Sequence, residues 1–304
     1  MEENKQEIFF AFNMDCERIK TESWMNDGCP SWEISEKAIR GMAQVFEDKG
    51  IIAEFCPTSD VAKKHSELFL EMKKRGHGLG LQFHADSFKD LSYRKHLGFY
   101  NYKEQKDMLA IAKKDWEDAL GMECTLFRTG YNTANDYTFP VLEELGFKSV
   151  SSGSPGDYDE KIGRRWIGLY PFPHHCSSKS RLICGELQLY NLLTPSIDHE
   201  KYKWKQKNNR RRLRLVVDEL FPEETYREIV ESSIDTQFLV NQPVKIVQVA
   251  THNTFDYLDE NIPQRKTMEF LIDCTRDVCK QKGLNFVPAT LDQIHQEADR
   301  VGAF

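Results

Sequence analysis

The sequence lacks the features that mark secreted, membrane and disulfide-stabilised proteins. Its apolar runs are too short for a signal core or a membrane helix, and the first residues, "MEENKQE", are acidic and polar. Its eight cysteines are scattered without CxxC spacing, which favours reduced thiols over disulfides or a cysteine zinc site. We therefore expect a cytoplasmic protein with no disulfide and no transmembrane segment.

Low-complexity linkers and sequence repeats are also absent. The chain has 304 residues, of which 40% are hydrophobic and 29% charged, as in ordinary globular proteins. Its formal net charge of −7 argues against binding of a polyanion by the chain as a whole, and no nucleic-acid-binding module is recognisable. We predict one domain over residues 1–304.

Segments typical of strands and helices alternate along the chain. "IFFAFNM", "IIAEFC", "GLGLQF", "CTLFRT" and "VKIVQVAT" are apolar runs of strand type, and segments with helical spacing of apolar residues follow them. One long helix is predicted over residues 60–76, from Asp60 to the glycine at its end. About seven such strand–helix units predict a parallel α/β barrel-like domain.

The alternation weakens at about 152–215, where we predict an irregular, basic insertion. Two strands are predicted within it, "WIGLYPF" and "RLICGEL". Residues 200–215 carry eight basic residues and one acidic one. Such a run is usually a solvated surface, but it could also bind an anion, for example the diphosphate of a nucleotide-linked or lipid-linked sugar.

Polar residues stand where the predicted strands end, and barrel chemistry occurs at the carboxyl ends of strands. Side chains two residues apart on a strand point to the same side, so the members of each group can share one cavity. Carboxylates with imidazoles suit a divalent metal, most naturally zinc, and this predicts a metal-assisted hydrolase. The groups are Asp15 with Glu17; Gln82 with His84 and Asp86; Arg128; and His252.

Four segments in order resemble the polysaccharide deacetylase family of carbohydrate esterases. They are "FNMDCE", "KRGHGLGLQFHAD", "LFRTGYNTANDYTFPVLEELGFKSVSSG" and "VQVATHN", and the resemblance spans nearly the whole chain. The most specific is "GHGLGLQFH", which is similar to the family pattern G-H-E-I-G-x-H-x-H. The resemblance implies a distorted (β/α)7 barrel and a deacetylase-like hydrolase of amide bonds.

The resemblance also implies roles for individual residues. Asp15 would be the base that activates water and Glu17 a metal ligand, although these two roles could be exchanged. Arg128 would orient the base, and His252 would protonate the departing amine. A backbone N–H between Thr129 and Tyr131 could stabilise the oxyanion.

One departure from the family concerns the metal. Gln82 stands where the family usually has its first metal-binding histidine, so Glu17, His84 and Asp86 remain as the expected ligands. A neutral amide is a poor zinc ligand, which leaves weaker binding, a harder ion or an empty site as alternatives. His174 or His175 in "PHHC" is a further candidate to replace the missing ligand, and of these we select His175.

Three functions follow from the sequence. The first is metal-dependent removal of an N-acetyl or related acyl group from an amino sugar, free or phosphate-linked. The second is hydrolysis of a small non-sugar amide or cyclic imide by the same barrel. The third is an inactive barrel that binds a glycan or a partner. The sugar, the acyl group and any homo-oligomer are left open.

Overall fold

The computed structural model describes residues 6–22, 28–89, 93–194, 196–198, 210–213 and 220–303. The helices in these ranges are α1 (Trp32–Asp48), α2 (Ser59–Lys64), α3 (Ser66–Lys74), α4 (Tyr102–Leu120), α5 (Thr138–Glu144), α6 (Glu223–Leu239), α7 (Pro263–Gln281) and α8 (Leu291–Val301). Side-chain caps begin several of them: the Ser31 hydroxyl accepts from the Ile34 N–H at α1, and Asn101 forms a capping box at α4.

Most of the strands belong to two largely parallel sheets. The strands are β1 (Glu7–Cys16), β2 (Glu54–Pro57), β3 (Gly78–Leu79), β4 (Leu81–Phe83), β5 (Leu126–Thr129), β6 (Ser149–Ser151), β7 (Tyr158–Asp159), β8 (Arg164–Arg165), β9 (His174–His175), β10 (Tyr190–Asn191), β11 (Ser196–Asp198), β12 (Arg210–Arg212), β13 (Ile246–His252) and β14 (Asn285–Pro288). One of the two main sheets has the order β13-β1-β2-β3, with β14 also on β1, and the other has the order β4-β5-β6-β10-β9. The pairs β7-β8 and β11-β12 form separate two-stranded antiparallel sheets.

The chain passes from one sheet to the other at Gly80. β3 pairs with β2, and β4 pairs with β5, on either side of this residue. A Cβ at Gly80 would lie 2.7 Å from the Leu126 side chain, so the close approach requires glycine. The two sheets therefore form one curved wall, and among the described residues no strand pairing joins β13 to β10.

Alternation along β1 separates two cores. Ile8, Phe10, Phe12 and Met14 pack in the core between strands and helices, whereas Phe9 and Ala11 face the interior of the curved wall. The interior-facing positions continue upwards as Asn13 and Asp15, because side chains on a strand alternate. The lower interior is thus apolar and the upper interior is polar.

Helix α8 covers the lower end of the interior. Leu291, Ile294 and Ala298 on this helix are fully buried in the same cluster as Phe9 and Ala11. The Leu291 N–H at the start of the helix donates to Oε2 of Glu54 at 2.9 Å. The strand ends opposite α8 remain available for a site.

The α/β class predicted from the sequence is confirmed, with parallel strands and outer helices, whereas several predicted elements need correction. The helix predicted over 60–76 is interrupted at His65, whose backbone leaves the helical region. "WIGLYPF" and "RLICGEL" are not strands; between 152 and 194 the chain forms only the two-residue strands β7 to β10. Helix α8 was not predicted.

Two other expectations can be compared with the structure. All eight cysteines are free, and seven of them are buried. In the described ranges, no helix has both the length and the apolar character needed to cross a bilayer. The basic run 200–215 lies mostly outside the described residues, and so does the anion site predicted there.

Candidate active site

Four strands bring the predicted polar residues to one end of the barrel wall. In the pairing of β1 with β13, Asp15 lies opposite His252, and in the pairing of β4 with β5, Gln82 lies opposite Arg128. On β1, β5 and β13, the side chains that face the interior are apolar lower in the strand and polar at this end. Parallel strands therefore gather side chains from four distant segments of the chain.

Asp15 is held in one orientation by its neighbours. Its Oδ1 accepts from Nε of Arg128, and from Nδ2 of Asn13 at 3.2 Å. Arg128 also donates from Nη1 to Oγ of Ser151 at 2.8 Å. Asp15 and Arg128 are 4% and 6% exposed, so this ion pair is largely removed from water. The other oxygen of Asp15, Oδ2, lies 3.9 Å from Nε2 of His252.

Glu17, Gln82 and His84 meet beside this pair. Oε1 of Glu17 is 3.1 Å from Nε2 of Gln82 and 3.1 Å from Nε2 of His84, and those two nitrogens are 3.0 Å apart. Burial alone would raise the pKa of Glu17, but His84, followed by His252 and Gln82, outweighs it and holds the pKa well below its usual range. Glu17 is therefore an ionised carboxylate within the wall.

Asp86 lies on the opposite side of the His84 ring from Glu17. Its Oδ1 is 3.9 Å from Nδ1 of His84, whereas Glu17 faces Nε2. His96, which the sequence analysis did not select, places its Nδ1 3.4 Å from the same oxygen of Asp86. Because His96 comes from an irregular loop segment, no periodicity in the sequence indicated it.

Asn253 is a second residue that the sequence analysis missed. Its Oδ1 accepts from the N–H of Glu17, and its Nδ2 donates to the carbonyl of Glu17, both at 2.9 Å. The same Nδ2 lies 2.8 Å from Oγ of Ser35 on α1, and the side chain is fully buried. Asn253 thus fixes the backbone that carries Glu17. The preceding residue, His252, places its Nε2 3.7 Å from Oε1 of Glu17.

The turn after β5 has a strained backbone next to His84. Tyr131 and Asn132 have φ angles of 52° and 53°, in the left-handed region that disfavours side chains. The Tyr131 ring packs edge to face against His84, with centroids 4.7 Å apart. A Cβ at Gly130 would lie 2.6 Å from the His84 ring, so this position requires glycine.

Two clefts open on either side of these residues. One is lined by Asp15, Arg128, Tyr131 and others of the upper interior. The second is lined by Glu17, Gln82 and His84, together with Arg18. Both clefts open towards solvent at the carboxyl ends of the strands.

The residues present are compatible with a divalent cation between Glu17 and His84. Oε1 of Glu17 and Nε2 of His84 lie 3.1 Å apart, close to the separation of about 3.4 Å between two ligands of a four-coordinate ion. The buried Oε1 of Gln82 has no hydrogen-bond partner in the described part of the chain. Rotation of this amide would direct an oxygen ligand towards such an ion.

The structure does not bring His175 to this site, which corrects its suggested role as a replacement ligand there. His175 lies on β9, where its Nε2 is 3.5 Å from Oδ1 of Asp299 on α8. The other predicted residues, namely Asp15, Glu17, Gln82, His84, Asp86, Arg128, Tyr131 and His252, contact one another in one region.

The fold and this site define a parallel α/β barrel-like protein with an acid–base cluster at the carboxyl ends of its strands. The model of the polysaccharide deacetylase family matches residues 26–150, which confirms the family resemblance predicted from the sequence. The matched range contains Gln82, His84, Asp86 and Arg128, whereas Asp15, Glu17 and His252 lie outside it. No curated protein sequence gives a match.

Solved structures of the same fold cover the whole chain. One described as a polysaccharide deacetylase from Mycobacterium smegmatis has 12% identity and a TM-score of 0.62, with 100% of this chain and 94% of that chain covered. Another, from Pseudomonas aeruginosa PAO1, has 12% identity and a TM-score of 0.60, with 96% and 91% covered. PuuE allantoinase has 11% identity and a TM-score of 0.60, with 96% and 90% covered. These likenesses concern the fold.

Proposed function

We propose that this protein is a hydrolase that removes an acyl group from the nitrogen of an amino sugar or sugar conjugate. The observation that carries this proposal is the fixed Asp15. Its Oδ1 is bound by Arg128 and Asn13, while Oδ2 faces His252 across 3.9 Å. One carboxylate oxygen is thereby left to act on a substrate or water in the upper interior.

In the proposed reaction, Oδ2 of Asp15 takes a proton from the water that attacks the acyl carbon. His252 gives a proton to the departing amine as the C–N bond breaks. A backbone N–H in the strained turn from Thr129 to Tyr131 donates to the oxyanion that forms on the carbonyl oxygen. Asp86 places negative charge on the Nδ1 side of the His84 ring, with its Oδ1 3.9 Å from that nitrogen.

A divalent cation would be held by Glu17 and His84, with Gln82 as the third donor. When bound, it supplies positive charge that polarises the carbonyl group and favours ionisation of a nearby water. In this arrangement Asp86 is a positioning residue rather than a ligand, because it faces the other ring nitrogen of His84. Zinc remains the first candidate, although the single imidazole favours weaker binding than the usual pair.

The test is release of acetate from a panel of free, oligomeric and nucleotide-linked N-acetyl amino sugars by the metal-supplemented protein. We expect Asp15→Asn to lower kcat by about 100-fold or more while circular dichroism stays unchanged. The exposed Asp259→Asn is the matched control and should keep full activity.

The outcomes separate the alternatives. A fully active Asp15→Asn protein would remove Asp15 from the role of base. Ring opening of cyclic amides without acetate release would identify the amidase instead, in keeping with the fold shared with an allantoinase. Absence of both activities in metal-loaded, folded protein would favour the binding function.

A further inference from the structure

A second cluster of metal-ligand side chains lies at the other end of the barrel wall. His175 on β9 and His295 and Asp299 on α8 each place one ligand atom within 4.8 Å of the other two. Ser149, which begins β6, contacts His295, whereas Ser151 at the end of the same strand contacts the arginine of the candidate active site. The cluster is therefore separate from that site.

The spacing of the three ligand atoms fits a shared ion. Oδ1 of Asp299 is 3.5 Å from Nε2 of His175 and 3.5 Å from Nε2 of His295. Two ligands about 2.0–2.1 Å from a tetrahedral zinc ion lie about 3.4 Å from each other. His295 and Asp299 are four residues apart, so they lie on one face of α8.

Hydrogen bonds on the far side of each imidazole direct its ligand nitrogen towards Asp299. Nδ1 of His175 donates to the carbonyl of Leu187 at 3.0 Å. The single hydroxyl hydrogen of Ser149 is donated to Asp292, with Oγ and the carboxylate oxygen 2.7 Å apart. The same Oγ therefore accepts from Nδ1 of His295 at 3.1 Å. In the neutral form of each imidazole, Nε2 then carries the lone pair, and such outer hydrogen bonds are the usual support of metal-binding histidines.

His295 gives an independent indication of a ligand. The residue is only 7% exposed, and its Nε2 makes no hydrogen bond within the described part of the chain. The Tyr190 ring contacts both imidazoles. It stacks on His295, with ring centroids 5.1 Å apart, and packs edge to face against His175, with centroids 5.0 Å apart.

We propose that His175, His295 and Asp299 bind a structural divalent transition-metal ion, with zinc as the first choice. Two imidazoles and one carboxylate form a donor set of the kind that zinc prefers, and water would complete the coordination. The ion would join β9 to α8 and thereby fasten the helix that covers the lower interior. This site is independent of the proposed hydrolase function.

The experiment uses full-length protein that carries Glu17→Gln and His84→Asn, so that the candidate active site binds no metal. After removal of metal with a chelator, equilibrium dialysis against zinc chloride and elemental analysis give the stoichiometry. We expect one zinc per chain. Adding Asp299→Asn should weaken binding by at least about 10- to 100-fold, since loss of an outer-shell partner alone has that effect.

Glu297→Gln is the matched control, because it removes one negative charge from the same helix without touching the cluster. It should leave zinc binding unchanged. In the Glu17→Gln/His84→Asn background, zinc should raise the melting temperature, and adding Asp299→Asn, an exposed position, should abolish this rise. Absence of zinc from the Glu17→Gln/His84→Asn protein, or equal zinc binding with and without Asp299→Asn, would overturn the proposal.

Discussion

The buried Glu54 predicts an unusual dependence of stability on pH. This carboxyl lies at the start of β2, is 2% exposed and accepts from the N–H of Leu291. Burial, reinforced by the charge of Asp292, raises its pKa from an ordinary value of 4.5 to about 8. Glu54 therefore keeps its proton in the folded protein at pH values where the unfolded chain has lost it.

The sign and size of the effect follow from proton linkage. Between pH 4.5 and about 8 the folded state binds more protons than the unfolded state, so stability falls as pH rises through this window. The slope approaches about 1.4 kcal/mol per pH unit, which amounts to about 3 kcal/mol between pH 5.5 and 8. Glu54→Gln removes the titrating group and should lose this dependence.

The assay is urea denaturation of the wild type and Glu54→Gln at several pH values from 5.5 to 8.5. The free energy of unfolding of Glu54→Gln minus that of the wild type should rise by about 3 kcal/mol over this range. Glu297→Gln serves as a control: Arg300 lowers the pKa of Glu297, so its contribution changes only below about pH 4.5. A constant difference between Glu54→Gln and wild type would refute the reasoning.

Three further predictions test the site. Asn253→Ala removes three buried hydrogen bonds and should lower the free energy of unfolding, measured by urea denaturation, by about 2–4 kcal/mol. Ser35→Ala removes only one of them and should lower it by about 1 kcal/mol. Equal effects of the two substitutions would contradict the assignment. Gly130→Ala should displace the ring of His84 and lower kcat/KM. An unchanged kcat/KM would show that the turn accommodates the added methyl group without moving His84. Arg128→Gln leaves the buried carboxylate of Asp15 without its partner and should lower the free energy of unfolding, measured by thermal or urea unfolding, by about 3–5 kcal/mol. The double variant Asp15→Asn/Arg128→Gln should lose less stability, because no unpaired charge remains.

The strand-borne part of the site could be predicted from the sequence. Alternation within β1, β5 and β13 determines that Asp15, Arg128 and His252 face the interior, and the order of the family motifs indicated the same residues. Side chains on a regular strand alternate between its two faces, so their directions at the strand end can be predicted from the local sequence alone.

The parts of the site that lie outside regular strands depend on contacts between distant segments, which local sequence patterns do not encode. Asp86 and His96 lie beyond the strand ends, in loop geometry that the alternation does not reach. His175 belongs to a two-residue strand whose partners were unknown, so the side it faces could not be predicted. Helix α8 did carry a sequence signal, a capping box formed by Thr290 and Gln293, which went unrecognised after the short strand "NFVPA".

The pairing of β1 with β13 has a consequence for how the protein is made. Phe9 pairs with Ile246, so the first strand gains this neighbour only after about 240 more residues have left the ribosome. At synthesis rates of 5–20 residues per second, that delay is about 10 to 50 s. During this time the unpaired edge and the apolar side chains of the nascent strand are exposed to other chains. A chaperone that shields this segment as it emerges should raise the yield of native protein.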